Sequence, residues 1–347
     1  MDNRSGLVGW TDEKWNRIRQ AVSEEAHKAR VAAKFLPPYG PLPPSTQVVP
    51  SELFNRTTEQ VNDVFTAPLM EVYEDVVLSR QQVNEEDLSS ALLSFRRAAN
   101  DVANVEDQII FKGLHDYRAT AGGSPTRRQL RVANTDQYQN IVTGVIVYGR
   151  VGVKGGEIDG FELGFFNNQV PPIFGRGAPA SAAASAQLRD RFHHARLMAT
   201  NPGALGLLQG SSNPLQRIRA RNPVADILAA VTTLEANGYL APFVCVLGQR
   251  AFVNTHTPIG ATAVSPSNLI EPILGSQIMR SSAIPSVVGD SQGLVLSLAG
   301  DPIDLALAVD ASPQFTNING QGQYSFRVVE SFALRVKDPA AIVRLQF

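Results

Sequence analysis

With 347 residues, 44% hydrophobic and 18% charged, the chain has enough apolar material for roughly two folding units and lies outside the charge-rich, apolar-poor range of disordered chains. Basic and acidic residues number 31 and 32, for a net charge of -1, so no overall basic field exists to hold a nucleic-acid backbone. No run approaches the ~20 apolar residues of a bilayer span, and Met1-Asp2-Asn3-Arg4 leads into no signal-peptide stretch, so the cytoplasm is the expected compartment.

Thr11 followed by Asp12 and Glu13 predicts a helix start, with acids at the positive helix end. Trp15, Ile18, Val22, Ala26 and Ala29 continue at three- and four-residue spacing, which predicts one apolar stripe ending near Lys34-Phe35. The run Pro37-Pro38-Tyr39-Gly40-Pro41-Leu42-Pro43-Pro44 is too proline-rich for a helix or a central strand and predicts a stiff arm, suited to reaching a neighbouring subunit. Partial alternation over 48–80 predicts a long two-stranded excursion. Leu88, Leu92, Phe95, Ala99, Val102 and Ile109 predict the longest helix, from near Asp87 to Lys112-Gly113.

Strands are expected at 142–149 and 161–166, beside an alanine-rich run over 178–186. A helix is expected over 224–237 behind Pro223, then a buried strand Phe243–Leu247 that contains the single cysteine, Cys245, as a core thiol. Further strands are expected at 294–298, 303–309 and within 324–347. Helices and strands without a βαβ rhythm indicate an α+β architecture.

The residues that could carry chemistry do not assemble into a site. His193-His194 are adjacent and cannot chelate like an i, i+4 pair, and His115-Asp116 has no nucleophile beside it. Glu106-Asp107 on the long helix lacks a companion cleft and reads as a structural salt bridge. Gly155-Gly156 and Gly320-Gln321-Gly322 lack the context of a phosphate loop. The arginines at 127, 128 and 131, and at 217, 219 and 221, lack interleaved aromatics and read as solvated faces or subunit contacts. No catalytic residue, cofactor or metal site is expected.

Three blocks carry a resemblance. The first is Thr11-Asp12-Glu13-Lys14-Trp15 with Lys34-Phe35 and Pro38-Tyr39-Gly40. The second is Asp87-Leu88-Ser89-Ser90 leading to Val105-Glu106-Asp107-Gln108-Ile109-Ile110-Phe111-Lys112-Gly113. The third is Val329-Glu330-Ser331-Phe332-Ala333-Leu334-Arg335-Val336 with Asp338-Pro339-Ala340-Ala341-Ile342. In this order they resemble the encapsulin family over roughly residues 8 to 120 and 222 to 347. Family subunits share the tailed-phage major capsid fold (Hong Kong 97 type), with a peripheral domain, an axial domain and an elongated loop.

The resemblance implies an N-terminal helix and arm over 1–44, the elongated loop over 45–82, a spine helix of the peripheral domain over 83–133 and an insertion subdomain over 134–221. It further implies an axial domain over 222–293 and the C-terminal strands of the peripheral domain over 294–347. The implied function is a bacterial shell subunit that self-assembles into an icosahedral nanocompartment, a virus-like particle enclosing cargo enzyme. Its partners would be copies of itself and a cargo protein with a C-terminal targeting peptide, with no membrane and no nucleic acid. Trp15, Ile18, Val22, Phe35, Ile303 and Leu305 are the residues expected in the cargo-peptide groove, and His256 and Thr257 in a five-fold pore loop. The alternative is a phage or prophage major capsid protein that packages DNA.

Overall fold

The computed structural model describes residues 8–121, 131–133, 203, 206–209, 211–218, 223–258, 264–284, 286–287 and 290–347. The chain divides into two units, Met1–Ala133 with Met198–Phe347, and Asn134–Leu197. The second unit lies outside the described residues, together with the strands expected at 142–149 and 161–166, the alanine-rich run and His193-His194. The insertion expected over 134–221 therefore extends past that unit into segments of the first.

Helix α1 (Asp12–Ala29) starts where Thr11 turns extended and its hydroxyl accepts the Lys14 N–H at 3.4 Å. Its stripe of Trp15, Ile18, Ala21, Val22 and Ala26 is buried. After a 3-10 turn, Ala32–Lys34, the proline-rich arm does not leave the subunit. Pro38–Tyr39 forms β1, parallel to β11 (Ile303–Ile318), with Pro38 opposite Leu305 and Tyr39 opposite Ala306. Proline is tolerated here because β1 is a sheet edge, where a missing amide breaks no ladder.

Strands β2 (Val48–Asn55) and β3 (Gln60–Pro68) form an antiparallel hairpin. The Asn55 side-chain oxygen accepts the N–H groups of Thr57 and Thr58 at 2.9 and 3.3 Å and closes the turn. The excursion expected over 45–82 thus divides. The hairpin ends at Pro68, whereas β4 (Met70–Leu78) pairs antiparallel with β12 (Tyr324–Val336) and β5 (Arg131–Ala133). The resulting sheet runs β1-β11-β12-β4-β5.

A short helix, α2 (Arg80–Val83), is capped reciprocally by Ser79 and Gln82. The spine follows as α3 (Ser89–Ala121). At Gly113, the expected terminus, the backbone leaves helical geometry (φ 80°, ψ 161°), and the helix then resumes. There α4 (Gly206–Gln209) presses on the spine, and a Cβ on Gly206 would lie 2.2 Å from the Gly113 nitrogen, an approach that requires glycine.

Helices α1 and α3 pack on one face of the five-stranded sheet. Phe326 of β12 stacks on Trp10 (5.1 Å between centroids, 11° between planes) and meets Phe95 and Phe315 edge-on at 5.4 Å.

A second sheet runs β6 (Gln216–Arg217), β13 (Ile342–Gln346), β10 (Asp290–Ser297), β7 (Phe243–Leu247) and β8 (Met279–Arg280), with β9 (Ser286–Val287) also paired to β10. Flanked by β10 and β8, β7 is buried along its length, as its unbroken apolar run requires. Helices α5 (Pro223–Ala236), α6 (Gln249–His256) and α7 (Pro266–Leu274) pack around this sheet.

Candidate functional site

Side chains of β12 alternate between two faces, and each face carries one buried arginine system. Phe326 and Glu330 point toward the helices, whereas Ala333 and Arg335 point toward the arm and the hairpin root.

On the helix side, Arg30 at the end of α1 meets Glu106 of the spine at 2.5 Å, Glu330 at 2.6 Å and Asp310 of β11 at 2.7 Å. Burial lowers the Arg30 pKa, but Glu330, Glu106 and Asp310 more than compensate and hold it above its ordinary value. Asp107, next on the spine, accepts the N–H groups of Val31 and Ala32 at 2.8 and 2.9 Å. Burial still raises its carboxyl to about 6 against those two hydrogen bonds. The acidic pair expected to be structural therefore fastens the α1 terminus to the spine. Carboxylates gathered around a guanidinium are not a metal cage, and among the described residues no group of three or more potential ligands could hold an ion.

On the hairpin side, Arg335 is 2% exposed. Its Nε lies 3.0 Å from Asp304, its Nη2 lies 3.3 Å from Glu52 of β2, and its guanidinium stacks over Tyr39 at 3.8 Å. Lys337 takes the second Asp304 oxygen at 3.0 Å. Val49, Ala67, Leu69, Ala306 and Ala333 form the small apolar core beneath, with Tyr39 and Leu42 packed against it. Beyond this root lies an open cleft of about 430 Å³, lined by Phe54, Arg56 and Val61 of the hairpin and by Tyr239, Lys337 and Asp338. Asp338 accepts the Tyr239 hydroxyl at 2.5 Å and pairs with Arg56 at 2.9 Å.

Exposed apolar side chains include two groups that lie close in sequence or on neighbouring helices, beside single ones such as Leu93 and Leu240. Val48, Phe54 and Val61 are exposed on the hairpin, and Val253, Leu269 and Ile273 on α6 and α7.

The residues expected to line a peptide groove differ in exposure within the subunit. Trp15, Ile18, Val22, Ile303 and Leu305 are all 5% exposed or less, and only Phe35 is half-exposed. Five of the six thus pack in the core of the subunit. His256 and Thr257 are the last residue of α6 and its C-cap, both exposed. The His256 ring stacks on Phe252 at 3.9 Å. Residues 259–263 lie outside the described residues, as do Arg127, Arg128, Arg219 and Arg221.

Sequence reasoning missed Arg30, Asp304, Glu330 and Arg335. The available signal was a charge at an inward strand position, as in Val328-Val329-Glu330 and Leu334-Arg335-Val336, where a buried ion demands a partner.

The family model for encapsulating proteins for peroxidase matches residues 6–155 and 199–333. The type 1 encapsulin shell protein EncA of Myxococcus xanthus is 28% identical over 120 residues, 35% of this chain and 40% of that protein. A diheme-cytochrome-encapsulin shell fusion protein of Kuenenia stuttgartiensis is 29% identical over 132 residues, 32% of this chain and 35% of that protein. The chain thus spans less than half the length of these curated relatives.

Among solved structures, the virus-like particle of Pyrococcus furiosus matches with a TM-score of 0.56 at 12% identity, over 96% of this chain and 100% of that chain. The capsid of an empty GTA particle matches with a TM-score of 0.50 at 12% identity, over 92% and 90%. At these identities the likeness shows the fold, the expected α+β fold of tailed-phage major capsid proteins. Among the described residues no helix is long and apolar enough to cross a membrane.

Proposed function

This chain belongs to the encapsulin family, and from that premise we propose that it is a non-catalytic shell subunit whose copies close into an icosahedral, cytoplasmic compartment around cargo protein. The observation that carries the reading is the family match along both halves of the chain, on either side of residues 156–198. The uncovered apolar residues support it. Val48, Phe54 and Val61 are exposed on a hairpin whose apolar core lies at its root and whose tip is held by Arg56 on Asp338, and Val253, Leu269 and Ile273 sit on neighbouring helices. Neighbouring copies would cover both sets, and modest contacts repeated around a closed lattice add up. In this reading the hairpin is the arm laid over an adjacent subunit, and His256 with Thr257 borders an opening on a symmetry axis.

A non-catalytic role agrees with the chemistry present. Cys245 is buried and its thiol is pushed up by burial, so it is no nucleophile. Cargo would dock through a C-terminal peptide on the face that carries α1, with Phe35 as the accessible member of the expected set.

Purified protein examined by size exclusion and negative-stain microscopy should give closed particles of megadalton mass, and a monodisperse monomer or dimer contradicts the proposal. The fold shared with the GTA capsid makes a DNA-packaging capsid the second reading. Particles whose absorbance is dominated by nucleic acid would favour it, against the near-neutral net charge of -1.

A further inference from the structure

The carboxyl groups around Arg30 outnumber the charge that holds them. Asp310 is 54% exposed, so water screens it, and Asp107 is served by two backbone N–H groups. Glu106 and Glu330 have neither relief. Both side chains are 0% exposed, and the cation that both contact is the Arg30 guanidinium. Glu106 Oε1 and Glu330 Oε2 are buried with no hydrogen-bond partner, and the two carboxyl groups are gathered side by side on Nε and Nη2 of one guanidinium, at 2.5 and 2.6 Å.

Two ionised carboxylates are both acceptors and cannot bond. One proton makes a donor of one of them and satisfies both orphaned oxygens. The other groups facing the pair do not change this balance. Asp107 adds negative charge from the spine, Lys34 of the 3-10 turn acts on Asp107, and β4 places the apolar Val72 opposite Glu330.

We propose that Glu106 and Glu330 share one proton at neutral pH, so that Arg30, one carboxylate and one carboxylic acid form a balanced lock between α1, the spine and β12, which loosens when alkaline solution removes that proton. The site titrates in the required sense. Burial, then Glu330, raises Glu106 well above its ordinary range against the pull of Arg30, and burial raises Glu330 to about 7, again against Arg30.

Because both folded pKa values exceed the unfolded ones, the folded chain binds more protons than the unfolded chain. The proton-linked stabilisation from the pair is therefore fully present below the ordinary carboxylate range. It falls as pH rises through about 7, where Glu330 ionises, and as Glu106 ionises well above its own ordinary range. This inference concerns the folded subunit and stands whether or not copies assemble.

The test compares the full chain with Glu106→Gln, Glu330→Gln and the double variant. The readouts are melting temperature from neutral to alkaline pH and the infrared band of a protonated carboxylic acid at pH 8. The parent should show the band and a melting temperature that falls with pH. Each single variant, with no surplus acid left, should lose the band and flatten the pH profile. The double variant should melt lower at every pH, because Arg30 keeps only the half-exposed Asp310. The inference is overturned if the parent lacks the band, if the band survives in both single variants, or if both lower the melting temperature at pH 8 with the slope of the parent unchanged. The infrared spectrum of the parent decides the matter even where a variant fails to fold.

Discussion

The two faces of the five-stranded sheet use the same device to different degrees of completion. Under α1 and α3, Arg30, Glu106 and Glu330 are buried on the face that carries Phe326, Phe95 and Trp10, and the chain alone supplies that cover. On the opposite face Arg335 is equally buried, but its partner Glu52 is 30% exposed, Lys337 beside Asp304 is 21% exposed, and the hairpin above them presents Phe54 and Val61 to solvent. The contrast separates a face completed within the subunit from one that leaves apolar surface open, which the proposed shell would cover with further copies.

The contrast can be broken most forcefully at the hairpin. Replacing residues 54–66 with a short glycine linker keeps Val49 and Ala67 in the root, so the subunit should retain its circular dichroism while closed particles vanish from micrographs. A deletion continued into β4 would be a poor test, because it removes a partner of β12.

Phe326→Ala attacks the finished face, and loss of a fully buried ring should lower subunit stability by about 3–5 kcal/mol, read by denaturant titration. Arg335→Ala should cost about 3 kcal/mol, the low end for breaking a buried pair, because Lys337 remains beside Asp304. Asp107→Asn keeps one acceptor for the N–H groups of Val31 and Ala32 and should cost about 1–2 kcal/mol. Val61→Ser should change subunit stability by no more than about 0.5 kcal/mol, yet raise the protein concentration at which light scattering first reports particles.

How much of this could be read beforehand depended on the range of the interaction. The α1 cap at Thr11, the break at Gly113 and the buried strand Phe243–Leu247 are set by neighbours in sequence, and all three were legible. The proline arm was not. Its stiffness suggested reach, but an edge position beside Leu305 and Ala306 accommodates the same residues within the subunit.

The groove residues show the same limit. Periodicity marks Trp15, Ile18 and Val22 as apolar-facing without saying whether the covering surface belongs to the same chain, and here it does. Arg30 and Glu330 are 300 positions apart. Only the oddity of a charge at an inward strand position hinted that each needed the other, and no local rule names the partner.

The most direct measurement is amide hydrogen exchange on assembled particles and on the same protein dissociated by dilution or mild denaturant. The account predicts that spine amides between Ser89 and Lys112 stay protected in both states, whereas those of β2 and β3 are protected only in particles. Equal protection of the hairpin in isolated subunits, or none in particles, would contradict it.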